Sequence, residues 1–540
     1  MPVLESNVDT RSDAFKANRE AMLERVAEVR ELESGVRAHG ERARERYEKR
    51  QQLLPRERVA QLLDPGTPFL ELSTLAGYKM HDDNGRKDVM GGGNIAGIGF
   101  VNGVRCMVSA NDSAIKGGTV TPMGLRKTLR AQRIAMENRL PTIGLIESGG
   151  ANLMYQSELF VEGGQVFCNM ARASAAGLPQ ITVVHGSSTA GGAYLPGLSD
   201  YVVMVRERAK VFLAGPPLVK AALGEDADEA ELGGAEMHAT IAGTTEYLAD
   251  DDAHGIALAR EIVSKLPWGR SARSAGGDRP FQPPRYDIDD LCGVVPADPK
   301  HPYDPREIIA RVVDGSDFLE FKAGWGSDTV CGHASIEGHP VGVIANHGPI
   351  QPEGSCKVAQ FIQLCCQSGT PLVYLMNTTG FMVGKSAEQR GAVKHGSKMI
   401  QAVSNATVPQ FTIITGGAYG AGNYGMCGRA FDPRFIFAWP NSKVAVMGGD
   451  QAATVMEIIT RAKFARKGMH LDDEALSRMS DSIRQKLNLE ANALFATARI
   501  WDDGVIDPRD TRRVLAMCLA TCDEAAERRL NPNTFGVARL

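Results

Sequence analysis

Short apolar runs, each followed by a glycine-rich turn and a stretch of helical spacing, set the rhythm of this chain. Between residues 90 and 260 the runs are "VRCMVSA", "TIGLIES", "QITVVHG", "YVVMV" and "KVFLAGP"; between 315 and 460 they are "VGVIANHG", "PLVYLMN", "QFTIITGG", "FIFAWP" and "KVAVMGG". Strands followed by helices at this spacing predict α/β layering. Upstream, Phe15, Met22, Val26, Val29 and Leu32 recur at helical spacing among charges, and "GERARERYEKRQQLLPRERVAQLLD" continues the pattern to residue 63. That segment predicts a solvated, packing arm of amphipathic helices. "GGGNIAGIGF" (91–100) has the glycines of a dinucleotide fingerprint without the preceding strand or the following acid, so it reads as a turn and a strand.

The two blocks are separated by "WGRSARSAGGDRPFQPPRYDIDDLCGVVPADPKHPYD" (268–304), rich in Pro, Gly and charge, which predicts a linker and a domain boundary near residue 285. The blocks also repeat. Pro141 and Pro179 are 38 residues apart, as are Pro371 and Pro409, and the pairs align at an offset of 230. At that offset Glu147-Ser148-Gly149 meets Asn377-Thr378-Thr379, and Gly191-Gly192 of "HGSSTAGGAYLPGLSD" meets Ala421-Gly422. The shared pattern of strand, turn and small residues argues for duplication. A strand entering such a turn before a helix leaves backbone N–H groups as donors. Two donors about 3 Å from a carbonyl oxygen form an oxyanion hole, worth on the order of 10²–10³ in rate per donor. Two such holes suit a reaction that activates two carbonyl compounds together; close helix–sheet packing is the plainer reading of the same small residues.

Composition narrows the chemistry. With 60 basic and 64 acidic residues the net charge is −4, giving no electrostatic footprint for nucleic acid or an anionic membrane. No apolar stretch reaches the roughly 20 residues that span a bilayer, and the first twenty residues have no signal-peptide h-region. The ten cysteines include adjacent Cys365-Cys366 and Cys518/Cys522 but no C-x-x-C, as expected of reduced, mostly buried thiols. Phosphate-loop, nucleophile-elbow and metal-ligand motifs are all missing. His185 and His238 read as structural residues, and Lys116, beside Gly117-Gly118, as a phosphate clamp or a solvated lysine.

"IESGGANL", "GSSTAGGAYLPGLSD", "VFLAGPPLVKAALGE", "ELGGAEMH", "NTTGFMVG", "GGAYGAGNYGMCGRAFDPRFIFAWPNSKVAVMGGDQAA" and "WDDGVIDPRDTRRVL" closely resemble the carboxyltransferase (beta) subunit of biotin-dependent acyl-CoA carboxylases. The resemblance runs from about residue 15 to 535 and is nearest to the 3-methylcrotonyl-CoA and geranyl-CoA branch. It implies an α/β fold of two duplicated crotonase-like (ClpP/crotonase superfamily) domains with an N-terminal helical arm, residues 1–285 on the acyl-CoA side and 286–540 on the biotin side. It further implies that Gly191 and Gly192 hold the thioester oxygen of the acyl-CoA enolate, and Ala421 and Gly422 the ureido oxygen of biotin. Binding roles follow for Lys116, Gly117, Gly149, Gly150, Ala151 and Tyr194 in the first domain, and for Thr379, Gly380, Phe381, Tyr419 and Asn423 in the second. In such families carboxybiotin releases CO2, biotin takes the substrate proton, and the carbanion attacks CO2, so no side-chain base is needed.

The chain has neither an M-K-M-type biotinylation segment nor an ATP-grasp half, which implies a separate biotin carboxylase and carrier (alpha) subunit. A homo-hexamer within an alpha6-beta6 holoenzyme, no metal in this subunit, and a cytoplasmic location (mitochondrial matrix in a eukaryote) complete the expectation. "HGPIQPEGS" (347–355) departs from the usual methylcrotonyl pattern and leaves a larger branched acyl group, such as geranyl, open. A propionyl-CoA-type subunit, a biotin-dependent decarboxylase subunit and a crotonase-fold CoA-binding protein without turnover remain alternatives.

Overall fold

Two sheets organise the chain in the computed structural model, which describes residues 3–81, 83, 90–268, 279–296, 301–346, 348–468 and 472–537. The first contains β1 (Leu70–Glu71), β2 (Asn94–Val101), β3 (Val104–Asn111), β4 (Thr142–Ser148), β5 (Gln180–Thr189), β6 (Tyr201–Val205), β7 (Lys210–Phe212) and β8 (Tyr247–Ala249). Its order is β1-β2-β3-β4-β5-β6-β8, with β7 also pairing β5. The second contains β9 (Leu319–Glu320), β10 (Thr329–Ile336), β11 (His339–Asn346), β12 (Leu372–Thr378), β13 (Gln410–Tyr419), β14 (Phe435–Ala438) and β15 (Lys443–Ala445), in the order β9-β10-β11-β12-β13-β14 with β15 on β13. Each begins with antiparallel strands and continues as a parallel sheet. Its central strands, buried on both faces, are for that reason almost wholly apolar.

Each of the ten quoted runs contains strand residues. The arm forms helices Asp13–Ala38, Arg44–Lys49 and Pro55–Leu62, as expected. The repeat reaches the level of register: Thr142 pairs with Gln180 and Leu372 with Gln410, and each ladder breaks at the same place, between Ile146 and Ser148 and between Met376 and Thr378. The sequence offset is thus a structural offset.

The chain divides into two compact units that are not its sequence halves. One comprises Met1–Arg30, Gly276–Thr497 and Trp501–Leu519; the other comprises Glu31–Ala275, Ala498–Ile500 and Ala520–Leu540. A division at residue 285 separates the sheets but leaves out this exchange of chain ends. Of the linker, residues 269–278 and 297–300 lie outside the described residues. In the first unit Phe15 packs so closely on Gly293 that a Cβ there would sit 2.4 Å from its ring. In the second, buried Arg105 on β3 pairs with Glu524 near the chain's end at 2.9 Å. All ten cysteines are free thiols, seven of them buried.

Candidate active site

β5 and β13 each run into a tight turn. The first turn, Ala190–Ala193, has Gly191 and Gly192 as its second and third residues; Ala421 and Gly422 hold the same places in the helical turn Gly420–Gly425. Amides so placed have no carbonyl four residues back in their own helix, and the side chains of the preceding Thr189 and Tyr419 do not cap them. The leading residues, Ala190 and Gly420, both have φ of 53°. The left-handed region suits Gly420 but strains Ala190.

A second pair of turns packs against these. Ser148 Oγ accepts from Gly150 N at 3.2 Å, and Thr378 Oγ1 from Gly380 N at 3.1 Å. The same hydroxyls lie 3.0 and 3.1 Å from where a Cβ on Gly192 or Gly422 would stand, so glycine is what permits the close approach. Ala151 and Phe381 form matching parallel bridges with Val120 and Ile350. Lys116 and Gly117 sit exposed, with positive φ, on the loop before Gly118. A Cβ on Gly118 would meet the Glu147 carbonyl at 2.4 Å, which holds this loop against the end of β4. Tyr194 is half exposed and meets Phe167 edge-on at 5.6 Å. Thr379 is exposed and Tyr419 partly so, beside the second turn. Asn423 is oriented differently: its side chain points back toward Met376 Sδ (3.8 Å) and the Gly428 backbone. Tyr424, the counterpart of Tyr194, is equally exposed and was not singled out from the sequence.

The two halves differ in what lies beside the turn. In the first, a cavity of about 590 Å³ runs between the sheet and helices Pro122–Glu137 and Gln156–Ala175, ending at Gly150-Ala151 and Gly191-Gly192. Its wall includes Thr128, Ala131, Gln132, Ala135, Gly144 and Asn169. At offset 230 the second half carries Val358, Phe361, Ile362, Cys365, Tyr374 and Met399, which are buried together as core. Gly163 and Gly164 also line the cavity, in mid-helix, where glycine is disfavoured by about 1 kcal/mol relative to alanine. A Cβ on either would touch nothing within 4 Å, so packing does not require glycine there. The matching residues are Val393 and Lys394.

On the opposite face of the first sheet lies a buried ionic cluster, which the sequence reading missed. Arg58, fully buried on helix Pro55–Leu62, reaches Glu147 Oε2 through Nη1 and Asp252 Oδ2 through Nε, both at 3.0 Å. Asp252 Oδ1 in turn meets His185 Nδ1 at 2.9 Å. Burial, and then the charge of Arg58, push the His185 imidazole below its ordinary range. For Asp252 burial acts upward, but the His185 hydrogen bond and the charge of Arg58 outweigh it and hold the carboxyl at about 2. The available signal was Arg58 itself, on the stripe Leu54, Arg58, Leu62, where helical spacing calls for an apolar residue.

The family described as carboxyl transferase domain matches residues 46–536. The chain belongs to that family. Its doubled crotonase-like sheets are the family's fold, and its class of activity is the carboxyltransferase of biotin-dependent acyl-CoA carboxylases. Among solved family members, the P. aeruginosa geranyl-CoA carboxylase beta subunit is 59% identical, with a TM-score of 0.93 and 100% of both chains covered. A probable biotin-dependent acyl-coenzyme A carboxylase beta2 subunit of Mycobacterium tuberculosis is 48% identical over 100% of both chains. The mitochondrial methylcrotonoyl-CoA carboxylase beta chain of Arabidopsis thaliana is 46% identical, covering 100% of this chain and 92% of its own. Among the described residues no His, Cys, Asp and Glu group could hold a metal ion, and no helix is long and apolar enough to cross a membrane.

Neither histidine is built as this carboxyltransferase's base. His238 Nε2 is held by the Val211 carbonyl at 2.7 Å, and His185 faces the ionic cluster rather than the cavity. His238→Gln is expected to keep kcat/KM within about tenfold, because a general acid–base residue contributes about 10²–10⁴. A fall beyond 10³ in an intact oligomer would restore a histidine to the chemistry.

Proposed function

We propose that this chain is the beta subunit that moves a carboxyl group from carboxybiotin, carried by a separate alpha subunit, to a branched 2,3-unsaturated acyl-CoA of the 3-methylcrotonyl or geranyl type. The observation that carries the reading is the open cavity beside Gly191-Gly192, set against its filled twin beside Ala421-Gly422. An acyl chain needs an apolar slot next to the amides that polarise its thioester; a ureido ring needs the amides without the slot. The acyl-CoA side is therefore assigned to the first sheet and the biotin side to the second.

Gly191 and Gly192 N–H receive the charge that develops on the thioester oxygen as the substrate becomes a dienolate. Ala421 and Gly422 N–H orient the ureido oxygen. When bound, carboxybiotin would supply the carboxyl group as CO2, and the biotin left behind would take up the proton that the substrate loses. Lys116, on its exposed loop, suits a CoA phosphate, and Tyr194 the cavity mouth. Thr379, Gly380, Phe381 and Tyr419 frame the biotin turn.

Assembly follows from surface positions that repeat. Leu153 and Val383, Tyr194 and Tyr424, and Leu213 and Val446 are all exposed apolar or aromatic residues at matching places in the two halves. Such matched patches are what further copies would cover, in keeping with a hexamer inside an alpha6-beta6 holoenzyme. A compartment that supplies acyl-CoA and ATP, the cytoplasm or the mitochondrial matrix, fits the assignment.

Reconstituted with its alpha subunit and given a panel of acyl-CoAs, the protein is expected to show higher kcat/KM on 3-methylcrotonyl-CoA and geranyl-CoA than on propionyl-CoA or acetyl-CoA. Each carbon unit in an apolar pocket contributes about 1–3 kcal/mol at most. Higher kcat/KM on either saturated substrate would reject this placement.

A further inference from the structure

The back of the first sheet differs in kind from the back of the second. In the second sheet the side chains at two matching positions, Asn377 and Thr415, are neutral. Asn377 Oδ1 accepts from Gly417 N at 2.9 Å, and Tyr303 Oη meets Thr415 Oγ1 at 2.7 Å. At offset 230 the first sheet has Glu147 for Asn377 and His185 for Thr415, with Arg58 and Asp252 brought in from flanking helices. Each half fastens its strands here, and at these matching positions the first does so with buried ions, the costlier solution in isolation.

What the ions fasten explains the choice. Glu147 is followed by Ser148, whose hydroxyl holds Gly150 N and abuts Gly192. Its own carbonyl seats Gly118, and Gly118 O accepts from Gly149 N at 3.2 Å. Asp252 holds His185, three residues before Ser188, whose hydroxyl donates to the Gly192 carbonyl at 2.8 Å. One planar guanidinium therefore ties the end of β4 and the approach to the β5 turn at once, through two different nitrogens. The arm adds a second tie, from Tyr47 Oη to Ser113 Oγ at 2.5 Å on the loop that leads to Lys116.

We infer that Arg58 is a positioning residue for the acyl-side oxyanion turn: it touches no substrate, but by clamping Glu147 and the Asp252–His185 pair from behind it sets where the Gly191 and Gly192 amides point. The inference rests on the assignment of the acyl thioester to that turn. Its consequence is that the N-terminal arm belongs to the catalytic geometry, although none of its residues lines the acyl cavity.

Arg58→Lys keeps the positive charge but cannot span both carboxylates. In the full holoenzyme it is expected to lower kcat on 3-methylcrotonyl-CoA by about 10–100-fold while acyl-CoA affinity stays within threefold. The distinguishing readout is the infrared band of a 13C-labelled thioester carbonyl in bound 3-methylcrotonyl-CoA. Amide donors that are well aimed displace this band from its position in free substrate, and in Arg58→Lys the displacement should fall to less than half. Should Arg58→Lys fail to assemble, Arg58→Met with Glu147→Gln removes the tie without stranding both carboxylates, and the same loss of displacement is expected. Full wild-type displacement in whichever variant assembles overturns the inference alone, as does parallel loss of affinity, band and oligomer, which would mark a purely structural cluster. No displacement in the wild type overturns the assignment of the turn and the inference with it.

Discussion

Gly191→Pro and Ala421→Pro are each expected to lose about 10²–10³ in carboxylation rate, and coexpression of the two variants is expected to restore a substantial part of it. Each substitution deletes one donor N–H at the same place in its own turn. Gly191 is preferred to Gly192 because an added Cβ there would meet only Phe167, at 3.8 Å, whereas at Gly192 it would press on Ser148 Oγ at 3.0 Å. Neither Gly191 nor Ala421 has a positive φ, so the backbone does not by itself exclude proline. If a working site joins the first turn of one copy to the second turn of another, a mixed dimer has one site with both lesions and one with neither. Sites built within a single chain would keep one lesion everywhere and recover nothing. Differential tags on the two variants, with activity measured on the mixed oligomer, separate these outcomes.

The second large effect concerns acyl length. Ala131→Phe installs in the cavity wall the residue that its counterpart, Phe361, already places in the filled half, where that ring packs against Phe321 and His333 at centroid distances of 5.5 and 5.0 Å. A ten-carbon acyl group then loses the apolar contacts of roughly five carbons, at about 0.8 kcal/mol per carbon, which amounts to on the order of 10²–10³ in kcat/KM. The five-carbon 3-methylcrotonyl group, which reaches less far from the amides, should change by less than about fivefold. Steady-state kinetics on both substrates decides: an equal loss on the two would mean that Ala131 does not line the part of the cavity that measures length.

Much of this was legible in the sequence, because duplication is a linear signal. A strand with its turn and helix transfers intact, so an offset of 230 read from four prolines predicted matching strands and turns, and the structure carries the match on to equal registers and equal ladder breaks. The amide pairs were legible for the same reason, as backbone groups whose position depends on local chain geometry. Side chains that act at a distance were not. Arg58, Glu147, Asp252 and His185 span 194 positions of sequence, from Arg58 to Asp252, and no spacing rule links them. The cavity was hidden in another way. It is made by what Ala131, Gly144 and Gly163 lack, and small residues mean open space only once their neighbours in the fold are known. The direction of a side chain was likewise not legible: the Asn423 amide lies toward Met376 Sδ and the Gly428 backbone.

The exchanged chain ends bear on how the protein is made. Arg105 lies on a strand in the earlier-made part of the second unit, while Glu524 lies on a segment made 419 residues later. At synthesis rates of about 5–20 residues per second, that interval is roughly 20–80 s. Throughout it the nascent sheet must keep a guanidinium in its interior without its carboxylate. That second unit therefore cannot be finished before Glu524 is made; its earlier-made part waits, incompletely closed, for helix Thr511–Glu527.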